Sequence, residues 1–305
     1  MCSMPVPSLP QVHPMRLGLW AINFGACADP ELQVRAAVAA EESGFESIWT
    51  SEHVAMPIRD NPVPMPPETP FLDSIVSLAN VAAHTSRLRL GTGILVMPHH
   101  NPVLLAKALA TLDLVSGGRL IAGFAGGYVE AEFRALGVAF KERGAITDEY
   151  LQAIRVLWTE EVPRFAGRFA AFDGIRFEPK PRQRPHPPIV IGGRSPRALR
   201  RAARFASGWY GFGLTVDGTA AIVGELRRLR VELGRGAEPL EISLTTFEPL
   251  TPELVERATE VGIDRLIVMP TVPGDRLEAT VRALGARFAS GPPGRQPSDQ
   301  SDQSE

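Results

Sequence analysis

The segment Ser47-Ile48-Trp49-Thr50-Ser51-Glu52-His53 places a carboxylate and an imidazole side by side just past an apolar run. An imidazole is a side chain able to give or take a proton in catalysis. A histidine at a strand end can equally cap backbone groups, and position alone leaves both roles open. Next comes RLRLGTGILVMPHHNP, with Gly91 and Gly93 inside a strand-like run. Glycine weakens a strand interior unless a bulge or a closely approaching ligand requires it. The segment therefore reads as a bulge against a flat ring or as a barrel corner. His99 and His100 follow. Adjacent histidines point in different directions and no carboxylate stands at ligand spacing, so pocket lining or plain surface is expected and a metal site is not. In GGRLIAGFAGGYVEAEF, Gly123, Gly126 and Gly127 surround a strand end ahead of Tyr128 and Glu132, without the Gly-x-Gly-x-x-Gly spacing of a dinucleotide fingerprint. The strongest local pattern is PPIVIGGRSPRALRRAARFASGW. A strand ends in Gly192-Gly193, then Arg194, then a Ser195-Pro196 helix start. Free N–H groups at a helix start beside an arginine are expected to make an anion site, the alternative being a well-capped helix with a surface arginine. The nearby Arg197, Arg200, Arg201 and Arg204 read as a solvated face.

Eight short, nearly all-apolar runs must carry these groups: Arg16–Ile22, Ser47–Ser51, Leu88–Val96, Arg119–Phe124, Ile189–Ile191, Gly208–Phe212, Glu241–Thr246 and Arg265–Met269. Parallel strands buried on both faces look like this. Between them run helical patterns, five of which start at a capping residue followed by proline: Asp29-Pro30, Thr69-Pro70, Asn101-Pro102, Ser195-Pro196 and Thr251-Pro252. Eight strand–helix units predict a (β/α)8 TIM barrel with insertions after strands two and four. The first insertion, Glu52–Thr69, is a candidate lid rich in proline and methionine. The second, Arg164–Pro188, holds RFAAFDGIRFEP, which is expected to form a hairpin. The domain is expected to span residues 15–290, between disordered tails at 1–14 and 291–305, with Met15 a second candidate start.

Composition removes several alternatives. The 305 residues carry 44% hydrophobic and 22% charged side chains, an ordinary globular balance. The net charge of −2 supplies no basic field for nucleic acid. Of the 32 basic residues only Lys107, Lys141 and Lys180 are lysines. None follows a glycine, which excludes a Walker phosphate loop, and none stands at a strand end where a Schiff-base lysine belongs. The Gly-x-Ser-x-Gly elbow is absent. Two cysteines, one near the N-terminus, argue against a disulfide framework and for a reducing, cytoplasmic location. No run of roughly 18 apolar residues exists, so no membrane span is expected. The first residues lack the charged start of a secretory signal.

Taken together, AEESGFESIWTSEH, TSRLRLGTGILVMP, NPVLLAKALATLDLVSGGRLIAGFAGGYVEAEFRALG, DEYLQAIRVLW and PPIVIGGRSPRALRRAARFASGW resemble the luciferase-like flavin and deazaflavin oxidoreductases. The resemblance covers Met15 to about Phe288. It implies a barrel that binds a tricyclic cofactor at its C-terminal mouth, with a cis non-prolyl bulge at Gly93 and Ile94 behind the ring. It implies that Gly126, Gly127 and Tyr128 flank the cofactor's side chain. Gly192, Gly193, Arg194 and Ser195 would hold its phosphate. The strand-two histidine of the deazaflavin members matches His53. Glu52 stands where aspartate is common, and Tyr128 where tryptophan is frequent. Ala131 replaces a polar residue of sugar-phosphate-oxidising members, which argues against that substrate.

The short chain is most similar to members that use coenzyme F420, and its arginine-rich composition suits an actinobacterial source. The expected reaction is hydride transfer between the deazaflavin C5 and a small organic substrate, with His53 handling a proton and Glu52 tuning it. The alternative is an FMN-dependent monooxygenase with an external reductase. A non-catalytic flavin-binding barrel and a phosphate-binding isomerase or lyase barrel are further readings. Met56, Met97 and His99 are expected to line an apolar substrate pocket. A homodimer through the helix face around Ile75–Ala82 is an option.

Overall fold

A computed structural model describes residues 15–289. Expectations for the tails fall outside these residues. The chain forms a closed parallel barrel. Its strands are β1 (Arg16–Leu19), β2 (Ser47–Thr50), β3 (Arg89–Thr92) with β4 (Leu95–Val96), β5 (Leu120–Ala125), and, after a small hairpin, β8 (Ile189–Gly192), β9 (Gly208–Phe212), β10 (Glu241–Thr245) and β11 (Arg265–Val268). Neighbouring strands pair in sequence order, and β1–β11 plus β3/β4–β5 close the ring. The hairpin strands are β6 (Phe165–Ala166) and β7 (Ala171–Phe172). All eight expected barrel strands are present, and one is broken: the third stops at Thr92 and resumes at Leu95, across Gly93 and Ile94.

The helices are α1 (Pro30–Glu42), α2 (Ser74–His84), α3 (Pro102–Val115), α4 (Glu130–Ala135), α5 (Arg143–Thr159), α6 (Pro196–Phe205), α7 (Val216–Glu232), α8 (Pro252–Val261) and α9 (Gly274–Phe288). Four of the five expected starts hold. Asp29, Asn101, Ser195 and Thr251 each accept a first-turn N–H and precede a proline. The fifth does not. Pro70 belongs to the loop, and α2 begins at Ser74 with Asp73 accepting from Ile75 and Val76. The loop keeps Thr69-Pro70 because Gly25 donates to the Pro70 carbonyl at 3.1 Å and Phe71 bridges Phe24. The expected hairpin is present but begins at Phe165, just before RFAAFDGIRFEP, with its second strand inside that stretch, because the Glu149 carboxylate of α5 accepts the N–H groups of Arg168, Phe169 and Ala170 and fixes the turn there.

Apolar side chains form two cores. The larger lies between the strands and the helices. The smaller fills the barrel and is built from Trp20, Trp49, Ile121, Val190, Tyr210 and Ile267. Trp49 stacks on Tyr210 at 5.6 Å. Its indole explains Gly91, where a Cβ would lie 2.4 Å from the ring. Gly91 is thus a packing glycine below the bulge. At the N-terminal end of the barrel, fully buried Arg265 donates to Glu46 at 2.8 and 3.0 Å, to Ser243 at 2.9 Å, and to Glu241. Burial alone would raise the Glu46 carboxyl, but the charges of Arg265 and Arg89 outweigh it and hold it below the ordinary value. Arg201 departs from the expected solvated face. It is buried on α6 and ties that helix to α5 through Asp148 at 2.6 Å and the Gly144 carbonyl at 3.0 Å.

Candidate active site

The C-terminal ends of the strands make a mouth whose back wall is the break in strand three. The Gly93–Ile94 peptide bond is cis, as the resemblance implied. Backbone and side chains hold it from two sides. Gly93 donates to the Thr50 carbonyl at 2.9 Å, and the Trp20 indole donates to the Gly93 carbonyl at 3.2 Å. The Ile94 side chain reaches over β5 and β8. A Cβ on Gly123 would lie 3.3 Å from it, and one on Gly192 would lie 2.3 Å from it. Gly192 is therefore required by the Ile94 side chain, whereas Gly123 is required mainly by the Thr92 carbonyl oxygen, 1.9 Å from where its Cβ would stand. Gly123 is further locked to Thr92, whose hydroxyl accepts its N–H at 2.7 Å and donates to its carbonyl at 2.9 Å.

His53 stands beside this wall, and its carboxylate is not the neighbouring one. Its Nδ1 lies 3.4 Å from both oxygens of Glu132, a side chain that is 2% exposed and comes from α4. The same carboxylate accepts the N–H of Val54 at 2.8 Å and of Ala55 at 3.3 Å. A carboxylate only accepts, so Nδ1 carries the proton and Nε2 is the basic nitrogen. Glu52 turns the other way. It accepts the Val96 N–H at 2.5 Å and meets His100 Nε2 at 2.8 Å. This corrects the expectation that Glu52 tunes His53. Alternation along the extended chain sends consecutive side chains to opposite sides, so Glu52 and His53 cannot face one another. Burial alone would lower His100, but the Glu52 hydrogen bond and charge, with Asp73, raise it above its ordinary value.

The segment expected to hold an anion is a capped helix start beside an exposed arginine. Ser195 caps α6 by accepting from Ala198 at 3.2 Å. Gly193 has a φ of 105°, which favours glycine, and its carbonyl accepts the Trp209 indole N–H at 2.9 Å. Arg194 is exposed and pairs with no acid among the described residues. Gly126 is open apart from Thr147, 3.5 Å from where a Cβ would stand. Gly127 has a different reason: its φ is 76°, and a Cβ would meet Val96 at 2.5 Å and Phe133 at 2.9 Å. Tyr128 is 58% exposed and meets His53 edge-on at 6.2 Å.

Of the expected substrate-pocket residues, Met56 is half-buried in the lid loop. Met97 is fully buried in the outer core, so it does not line the mouth. His99 packs edge-on against Phe133 at 4.7 Å, and both ring nitrogens are sequestered without a partner. Burial pushes it below its ordinary value. A short 3-10 turn over Met97–His99 swings these residues off the strand's inner face, which a continuous strand through Val96 would not do.

Three supporting residues carried little signal in the sequence. Glu132 was visible only as an acid near a glycine pair. His100 was visible only as the second of two histidines. Buried Asn23 donates to the carbonyls of Ser51 and Leu72, both at 2.7 Å, and accepts the Ser51 N–H at 2.9 Å. It thereby pins both ends of the lid loop. Nothing local to β1 announces partners more than 25 residues away.

A flat ring against the Gly93–Ile94 wall and a phosphate at Gly193–Ser195 fit the residues present: the wall is hydrogen-bonded from both sides, Gly126 is open, and Arg194 has no acidic partner among the described residues. Among the described residues no His/Cys/Asp/Glu group is arranged to hold a metal ion, and no helix is long and apolar enough to cross a membrane. An uncharacterized protein of Mycobacterium tuberculosis H37Rv is 33% identical over 265 residues, covering 83% of this chain and 93% of that one. The FMNH(2)-dependent dimethylsulfone monooxygenase of Pseudomonas putida is 35% identical over 158 residues, 51% of this chain and 43% of that one. An F420-dependent secondary alcohol dehydrogenase, solved with an F420-acetone adduct, superposes with a TM-score of 0.73 at 16% identity, covering 90% of this chain and all of that one. Residues 15–249 match the luciferase-like monooxygenase family, and the chain belongs to that family of oxidoreductase barrels.

Proposed function

We propose that this protein is a coenzyme F420-dependent oxidoreductase acting on a small organic substrate. The observation that carries the reading is His53, held by buried Glu132 just past β2, the strand that pairs with β3 ahead of the cis Gly93–Ile94 bond. A bound deazaflavin would supply hydride transfer at its C5, and the protein would supply placement and a proton. Ile94 and Gly93 form the surface behind the ring. Gly126, Gly127 and Tyr128 flank the side chain, and Gly192 to Ser195 with Arg194 take the phosphate. His53 works through Nε2, giving a proton to the substrate in one direction and taking it in the other. Glu132 keeps Nδ1 protonated, so the basic nitrogen faces the substrate.

A second reading, an FMN-dependent monooxygenase, draws on the dimethylsulfone monooxygenase relative, whose match spans half of this chain. Both cofactors offer the same flat ring and phosphate. Titration of the purified protein with F420 and with FMN separates them. Low-micromolar or tighter F420 binding with weak FMN binding is expected. Tight FMN binding with no response to F420 overturns the F420 assignment.

A further inference from the structure

Six rings run along one side of the mouth in unbroken contact. Phe247 meets Phe212 at 5.6 Å, Phe212 meets Trp20 at 4.6 Å, Trp20 meets Phe24 at 5.2 Å, Phe24 stacks on Phe71 at 4.7 Å, and Phe71 meets His53 at 5.2 Å. They come from the ends of β9, β10 and β1, from the lid loop and from the end of β2. The arc therefore exists only in the folded barrel. It is also incompletely covered: Phe247 is 62% exposed and Phe212 46%. Two adjoining exposed rings that continue into a partly covered aromatic row are the kind of apolar patch that binds a ligand.

Charge is withheld from this surface. The one polar atom that Trp20 offers is already donated to Gly93. Glu248, next to Phe247, is turned to the Val216 N–H at 2.6 Å and to Arg257 at 3.1 Å. Beside Trp20 and Phe24 opens a cavity of about 140 Å³ between the ends of β1 and β11, lined by uncharged residues that include Cys27, Met269 and Pro270. An apolar cavity of roughly 150 Å³ is known to hold one benzene ring. At its lip Ala21 takes a φ of 71°, a left-handed conformation uncommon for a residue with a side chain and concentrated at functional sites.

We propose that the substrate is an uncharged compound carrying a planar aromatic ring, seated on the arc of Phe247, Phe212, Trp20 and Phe24 with its reacting group toward His53. This rests on the oxidoreductase reading of the same mouth. Ring faces and edges attract planar rings in offset or edge-on geometry beyond the area they bury. A carboxylated or phosphorylated substrate would lose hydration here without meeting a cation.

Calorimetric titration of the full-length protein with three probes tests the idea: 2-naphthol, its saturated counterpart decahydro-2-naphthol, and 2-naphthoate. 2-Naphthol is expected to bind about tenfold tighter than the saturated alcohol and tighter still than the anion. Phe247→Leu and Phe212→Leu keep the apolar character but remove the ring. Each should cut the preference for 2-naphthol severalfold and leave decahydro-2-naphthol binding nearly unchanged. Equal binding of the two alcohols, stronger binding of 2-naphthoate, or unchanged preference in both variants overturns the proposal. Cofactor titration of the same samples keeps the two ideas separate. Cofactor binding with no aromatic preference sinks only the substrate class. Aromatic binding with no cofactor response sinks the oxidoreductase reading instead.

Discussion

The two ends of the barrel treat charge in opposite ways. At the N-terminal end, Arg265 is fully buried and donates to two glutamates and a serine, so its charge is satisfied inside the fold. At the C-terminal end, Arg194 is exposed without an acid among the described residues, and two phenylalanines face solvent. In eight-stranded barrels the first end serves stability and the second chemistry. Here the difference is visible as hydrogen-bonding capacity: used up at the floor and left open at the mouth.

The contrast breaks if changes at either end act on the wrong property. The largest effect is expected from His53→Ala, which should lower kcat by about 10²–10⁴-fold while shifting cofactor affinity little. Steady-state kinetics beside a cofactor titration check it, and full activity would remove His53 from the mechanism. Next is Arg265→Leu at the floor. Removing one partner of a buried network leaves the carboxylates uncompensated, so about 3 kcal/mol of stability should be lost in chemical denaturation. Glu46 gives the pH sign. Its folded value lies below 4.5, so its contribution is present above that pH and is lost as pH falls through the folded value. The gap between wild type and Arg265→Leu should therefore close in acid.

Arg194→Ala should weaken cofactor binding about ten- to a hundredfold, the range of a charge-assisted hydrogen bond, with denaturation unchanged. Loss of stability without loss of affinity would make Arg194 a floor-like residue. The smallest effect is set by His100. Its folded value is raised above 6.5, so the Glu52 pair stabilises fully below that pH and fades as pH rises through the raised value. Melting of wild type and His100→Gln should differ by about 1 kcal/mol at pH 6 and converge toward pH 9. A gap that widens with pH contradicts the pairing.

Much of this was legible along the chain. The eight barrel strands were readable because parallel strands buried on both faces must be apolar throughout, and four helix starts because a cap followed by proline is a local signal. The cis wall came only through resemblance, since glycine spacing alone left both a bulge and a barrel corner open. The Thr69-Pro70 start failed for a distant reason: Phe24 and Gly25 claim that stretch for the lid.

The sequence by itself determined what depends on near neighbours: element periods, caps, the absence of a phosphate-loop lysine, and the presence of His53 at a strand end. Tertiary structure alone decided what depends on distant ones. Glu132 became the partner of His53 across 79 residues, while adjacent Glu52 went to His100. Met97 was turned into the outer core, and rings from five parts of the chain were joined into one arc. A side chain's direction follows from its backbone. Its partner is whichever group the closed barrel brings opposite, and no local spacing records that.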